Sequence, residues 1–92
     1  MAVDNFTADD VAAWMLAELN RVRELYQEEA VWKIQRQFGK RFVYENTNGN
    51  LAIGRDVLKA FRKLTGADVI WDKSERMWRK RQNFDTPGRQ QS

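Results

Sequence analysis

Apolar side chains recur at helical spacing in three segments of this chain, and short apolar or alternating runs separate and follow them. In the first segment the apolar positions fall three and four residues apart, as one face of a helix requires. These positions are Val11, Trp14, Met15, Leu19 and Val22. The same spacing recurs in two later segments. The pattern therefore predicts helices at about residues 8–22, 27–38 and 55–65.

Capping signals agree with the bounds of these predicted helices. Thr7 stands at the N-cap position of the first helix, and Asp10 occupies the position of its capping-box partner three residues later. Gly39 and Gly66 directly follow the second and third predicted helices. Glycine is common at this place because it adopts the left-handed conformation that ends many helices.

The connector between the second and third helices contains strand and turn signals. Phe42–Glu45 has the aromatic and β-branched residues typical of a strand. Asn46–Asn50 follows as a strong turn signal, because its Asn-Gly pair accepts the positive φ angles of a tight turn. Leu51–Ile53 is then either a returning strand or a buried run that leads into the third helix.

The C-terminal part of the chain predicts a β-hairpin and a tail. Val69–Trp71 and Met77–Arg81 have strand character, and five polar or charged residues join them. Residues 83–92 are mostly polar and contain a Pro-Gly turn. We therefore expect one α+β domain over residues 1–82, with three helices plus a C-terminal two-stranded β-hairpin, followed by a mobile tail over residues 83–92.

Three segments carry a resemblance to known proteins. They are Tyr26–Val31, the Asn48–Asn50 turn followed by Val57–Leu64, and Trp78–Arg81. With them the chain resembles a family of small uncharacterised bacterial proteins. The element order also resembles that of a winged helix-turn-helix domain. This resemblance implies a small winged-helix-like fold but no function, and Gly39–Gly54 is longer than the usual turn of three or four residues.

Charge is distributed unevenly along the 92 residues, whose net charge is +3. Residues 1–30 carry seven acidic and two basic side chains, so the remainder of the chain is strongly basic. This asymmetry favours a polyanionic partner on one side of the domain. The alternative is that the charges only keep a small domain soluble.

Basic residues in the third helix and the predicted hairpin form a candidate nucleic-acid-binding surface. Four lie on one helix face, opposite the apolar face, and two lie at the hairpin tip. The predicted binding residues are Arg55, Lys59, Arg62, Lys63, Lys73 and Arg76. Such cations neutralise backbone phosphates, and duplex DNA is the expected partner. The alternative is an ordinary solvated surface, and acidic residues at the tip partly offset its charge.

The aromatic residues allow two further interpretations. Trp71 and Trp78 either stack on unpaired bases beside the cations or, as we expect, cover the hydrophobic core. Trp14, Trp32 and the long connector predict an alternative function, in which the domain binds a protein partner or forms a homodimer through its first helix.

Composition excludes several kinds of chemistry. The chain has no cysteine and no histidine, which removes thiolate chemistry, the commonest general base and the commonest metal ligands. No glycine-rich phosphate loop and no apolar run of about 18 residues is present. We expect no enzymatic activity, no cofactor, no metal, no small-molecule substrate and no membrane contact. The acidic start of the chain predicts a cytoplasmic protein.

Overall fold

The computed structural model describes residues 6–82 and the backbone of residues 90 and 91. Three helices dominate the described part of the chain: α1 (Ala8–Val22), α2 (Gln27–Phe38) and α3 (Arg55–Thr65). Their bounds confirm the helices predicted from the spacing of apolar residues. α1 packs mainly against α3, and most of the buried apolar side chains belong to the three helices.

The start of α1 has the predicted capping box. The Thr7 hydroxyl accepts a hydrogen bond from the Asp10 backbone N–H at 3.2 Å, and the Asp10 carboxylate accepts one from the Thr7 N–H at 2.9 Å. Two N–H groups that the helix itself leaves without a partner are thereby satisfied.

Four strands form the larger sheet: β1 (Glu24–Tyr26), β4 (Val69–Asp72), β5 (Met77–Lys80) and β6 (Gln90–Gln91). Their order is β1-β5-β4-β6, with β6 parallel to β4 and the other pairs antiparallel. From the sequence alone, Leu25 and Tyr26 form either a very short strand or a connector. Pairing with β5 makes this segment a strand.

This sheet corrects the predicted two-stranded hairpin. β4 and β5 pair antiparallel, but they are the central strands of a four-stranded sheet. Leu25 of β1 lies opposite Trp78, and Gln90 of β6 lies opposite Trp71. Both edges of the predicted hairpin are therefore paired. Apart from residues 90 and 91, the predicted tail over residues 83–92 lies outside the described residues.

The connector between α2 and α3 folds as a second, smaller sheet. Lys40–Phe42 forms a 3₁₀ turn that buries the Phe42 side chain, and β2 (Val43–Glu45) then pairs antiparallel with β3 (Leu51–Ile53). In the turn between them, the Asn46 side-chain oxygen accepts hydrogen bonds from two backbone N–H groups, of Asn48 and Asn50. Leu51–Ile53 is thus the returning strand of a hairpin, the first of the two alternatives that the sequence allowed.

Apolar spacing in α3 predicts a buried face that includes Val57, Phe61 and Leu64. Val57 and Phe61 are fully buried as predicted, whereas Leu64 is 51% exposed. Thr65 takes the buried position in the last turn, where its hydroxyl donates a hydrogen bond to the Phe61 carbonyl at 2.9 Å. A threonine can occupy this buried place because its polar group is satisfied within the helix.

Gly54 fixes the start of α3 against the connector. Its N–H donates a hydrogen bond to the Phe42 carbonyl at 2.7 Å. A Cβ atom at this position would lie 3.0 Å from the same carbonyl oxygen and 3.0 Å from the Asp56 carboxylate. Glycine therefore permits the close approach that places the first turn of α3 beside the β2–β3 hairpin.

A charge cluster joins α1 to α2. The Glu18 carboxylate accepts hydrogen bonds from Arg21 at 2.7 Å and from Lys33 at 2.9 Å. The hydrogen bond from Arg21, followed by that from Lys33, lowers the pKa of Glu18 from its ordinary value of 4.5 to about 2. The carboxylate therefore remains charged in the folded protein to lower pH than in the unfolded chain.

Replacing Glu18 with glutamine is expected to lower the free energy of unfolding by about 1 kcal/mol at neutral pH. Because the folded-state pKa is depressed, the stabilisation is fully present above pH 4.5 and is lost as the pH falls toward about 2. Urea unfolding of both proteins at several pH values measures this difference. Glu45→Gln, in exposed β2, is the control, and an E18Q difference that persists at pH 2 would contradict the assignment.

Candidate nucleic-acid interface

A concave surface with a volume of about 590 Å³ lies beside α3. We call it the α3 groove. Its walls come from α3, from the β2–β3 hairpin, from β4 and β5, and from the start of α2. The described lining residues are Gln27, Tyr44, Asn46, Ala52, Ile53, Arg55, Leu58, Lys59, Phe61, Arg62, Trp71 and Trp78. The groove thus combines residues from most of the chain.

Three of the predicted binding residues line the α3 groove together. Arg55, Lys59 and Arg62 follow one another along one side of α3, and all three are exposed. Within the described part of the chain none of them forms an ion pair, and no carboxylate lines the groove. Their positive charges are therefore left uncompensated on one concave surface.

Aromatic rings form the wall of the groove that belongs to the larger sheet. Trp71 and Trp78 lie opposite each other on β4 and β5, with ring centroids 4.6 Å apart and ring planes inclined by 50°. Trp78 also meets Phe61 of α3 edge to face, at 5.6 Å between centroids. Trp78 is buried, which confirms its predicted place in the core, whereas Trp71 is only half-buried. This aromatic wall is therefore anchored in the core.

The other three predicted binding residues lie elsewhere. Lys63 is exposed on α3 but does not line the groove, and Lys73 is exposed in the turn between β4 and β5. Arg76 borders a second, smaller hollow of about 270 Å³, whose lining also includes Trp32 and Gly49. The fold thus brings together three of the six residues.

Charges of both signs surround the turn between β4 and β5. The Asp72 carboxylate accepts a hydrogen bond from the Ser74 hydroxyl at 2.8 Å and further bonds from the N–H groups of Ser74 and Glu75, which together lower the pKa of Asp72. Nearby, the pKa of Tyr26 is raised, first by the charge of Glu24 and then by partial burial. Glu75 and other carboxylates add to this effect. Negative charge at this turn therefore offsets Lys73 and Arg76.

Residues 7–80 match a protein family that is described as a family of unknown function, DUF6953. The chain belongs to the DUF6953 family. No curated protein and no solved structure matches it. The match bears out the resemblance to an uncharacterised family, and it transfers neither an activity nor a ligand to this DUF6953 chain.

In this DUF6953 chain the long connector forms the β2–β3 hairpin, which supplies part of the groove lining. Tyr44, Asn46 and Ile53 of the hairpin line the same groove as the basic residues of α3. Tyr44 is 43% exposed, so part of its surface remains open to a ligand. The sequence did not identify Tyr44, Asn46 or Gln27 as nucleic-acid-binding residues, because nothing in their spacing shows that they lie in one groove with α3. The unusual length of the connector was the available hint.

No group of three or more acidic side chains in the described part of this DUF6953 chain is arranged to hold a metal ion. No helix within residues 6–82 is long and apolar enough to cross a lipid bilayer.

Proposed function

We propose that this DUF6953 chain is a non-enzymatic, winged-helix-like domain that binds nucleic acid, with duplex DNA as the first ligand to test. The observation that carries the proposal is the set of three unpaired cations in the α3 groove, where no carboxylate of the described chain lies. Uncompensated cations on one surface bind phosphates and release the counterions condensed on nucleic acid.

The order of strands supports the winged-helix interpretation. β1 lies between α1 and α2 in the chain, yet it pairs with β5 at the C-terminal end of the described domain. β5 in turn pairs with β4, which directly follows α3. This order of helices and strands supports the proposal that the turn between β4 and β5 acts as the wing.

The surroundings of α3 favour phosphate contacts over insertion of the helix into the major groove. The major groove is about 12 Å wide and just admits an α-helix of about 10–12 Å with its side chains. Here Tyr44 of the β2–β3 hairpin and Trp71 of β4 line the same groove as the basic residues of α3, so other elements adjoin the basic side of this helix. A helix with such neighbours at its basic side is too wide to insert alone. We therefore propose binding with little sequence preference.

A salt titration tests this proposal. Three phosphate contacts predict that the logarithm of the association constant for a mixed-sequence duplex falls with the logarithm of salt concentration with a slope of about −2.7. Fluorescence anisotropy of a labelled duplex at a series of salt concentrations measures the slope. Absence of binding at about 50 mM salt, or an affinity that salt leaves unchanged, would overturn the proposal.

A second candidate function is protein–protein interaction or homodimerisation. The observation in its favour is Trp32, which is 56% exposed and borders the hollow beside Gly49. Trp14, the other tryptophan of the predicted patch, is half-buried and meets Phe38 edge to face at 6.0 Å between centroids. The packing of α1 against α3 also takes up the buried face of the first helix. The candidate surface therefore centres on Trp32.

Light scattering after size-exclusion chromatography tests the homodimer. If Trp32 forms the interface, the wild-type chain elutes as a dimer and Trp32→Gln shifts it to the monomer mass, because the substitution removes the largest exposed apolar side chain of the hollow. Leu64→Gln, at an exposed apolar position on α3, is the control. A wild-type chain that is monomeric at all concentrations would contradict dimerisation.

A further inference from the structure

We infer that the α3 groove accepts an unpaired nucleotide, with its base against Trp71 and its phosphate on the cations of α3. This inference rests on the proposed function and names the ligand of the same site. It follows from a feature that phosphate binding alone does not use, namely an aromatic wall in the same groove as a row of unpaired cations.

The aromatic wall is held in place before any ligand arrives. Trp71 stands against Trp78, which is buried and is itself in edge-to-face contact with Phe61. A ring supported in this way loses little freedom when a base stacks on it, so the favourable stacking energy is retained. Aromatic side chains beside a positively charged groove are the usual arrangement for binding unpaired bases.

The cations of α3 indicate that the ligand also carries negative charge. Arg55, Lys59 and Arg62 line the same hollow as Trp71, and no described lining residue carries negative charge. A purely apolar ligand would leave three desolvated cations without partners, and a cationic ligand would be repelled. A ligand with an aromatic ring and a phosphate can contact the tryptophan wall through the ring and the cations through the phosphate. A nucleotide has both groups.

Two amides supply hydrogen-bonding groups within the groove. Gln27 and Asn46 both line it. The Asn46 oxygen already accepts hydrogen bonds from the N–H groups of Asn48 and Asn50, which leaves its amide nitrogen as a donor. Such a donor suits the carbonyl oxygens and ring nitrogens at the edge of an unpaired base.

Base stacking within a duplex keeps a paired base away from Trp71. The groove volume of about 590 Å³ lies within the range of pockets that hold small ligands. In a duplex both faces of each base are covered by its neighbours, so a base reaches an aromatic ring only when it is unstacked. Trp71 is therefore expected to contribute to binding of single strands and to contribute little to binding of duplexes.

The experiment compares three ligands with the full chain: an oligothymidylate, a duplex of mixed sequence and thymidine monophosphate. Trp71→Leu is expected to weaken oligothymidylate binding by about 10-fold and to change duplex binding less than about 2-fold. Trp71→Phe, which keeps a ring, should restore most of the single-strand affinity. Trp32→Leu removes an exposed tryptophan from the other hollow and should change neither. Anisotropy measures the oligonucleotides and tryptophan quenching measures the mononucleotide.

The outcomes separate the inference from the function on which it rests. If W71L loses equal affinity for single strand and duplex, or loses affinity for neither, the unpaired-nucleotide site is overturned. The proposed function still holds in that case if duplex binding depends on salt. No binding of any nucleic acid overturns both. If the inference holds, binding of the oligothymidylate alone assigns the site to single strands, and comparable binding of the mononucleotide assigns it to free nucleotides. Circular dichroism of W71L and W71F shows whether each variant is folded.

Discussion

Replacing Lys59 and Arg62 together with glutamate is expected to weaken duplex binding by roughly 100- to 1,000-fold at low salt. Each cation in contact with a phosphate contributes about 1 kcal/mol in water at 4 Å, and a glutamate in its place repels the phosphate by a similar amount. Two reversals therefore remove about 4 kcal/mol. The fold should be unaffected, because both side chains are exposed and neither is paired within the described residues.

A matched double variant distinguishes an effect of the α3 groove from an effect of net charge. Arg36→Glu with Lys40→Glu changes the net charge by the same amount, at exposed positions that do not line the α3 groove. Anisotropy at about 50 mM salt should show near wild-type affinity for this control and a loss of roughly 100- to 1,000-fold for the groove variant. If both double variants lose affinity equally, binding depends only on net charge and the α3 groove is not the site. Circular dichroism of each variant checks the fold.

Local features of the sequence were sufficient to predict the helices and the row of cations. Thr7 caps α1 through Asp10, three residues away, and the bounds of all three helices follow from apolar spacing. Likewise Lys59 and Arg62 share a helix face whatever surrounds the helix, because helical geometry alone places them there. Such features depend on residues within one or two turns, so they are visible in the sequence.

Pairing between distant segments could not be predicted in the same way. β1 has three residues, and what makes it a strand is β5, more than fifty positions later in the chain. The groove also depends on distant segments, because only tertiary packing brings Tyr44 and Trp71 into one hollow with the cations of α3. Leu64 matched the apolar face by spacing, yet the buried place in its turn is taken by Thr65. Periodicity identifies a face but does not show what covers it.

Truncating Phe61 to alanine is expected to lower the free energy of unfolding by about 3–5 kcal/mol. Phe61 is fully buried, and it links α3 to the larger sheet through its edge-to-face contact with Trp78. A domain of this size has a total stability of roughly 5–15 kcal/mol, so the loss brings the chain close to its unfolding threshold.

Phe61→Leu is the matched substitution, because it keeps most of the buried volume and removes the ring contact. It should lower the free energy of unfolding by about 1 kcal/mol and leave the chain folded. Urea unfolding, followed by circular dichroism and by tryptophan fluorescence, measures both variants. Since Phe61 supports Trp78 and Trp78 supports Trp71, F61L should also weaken single-strand binding more than duplex binding. If F61A destabilises the domain by less than about 1 kcal/mol, the core does not hold α3 against the sheet. The aromatic wall of the groove then has no rigid support.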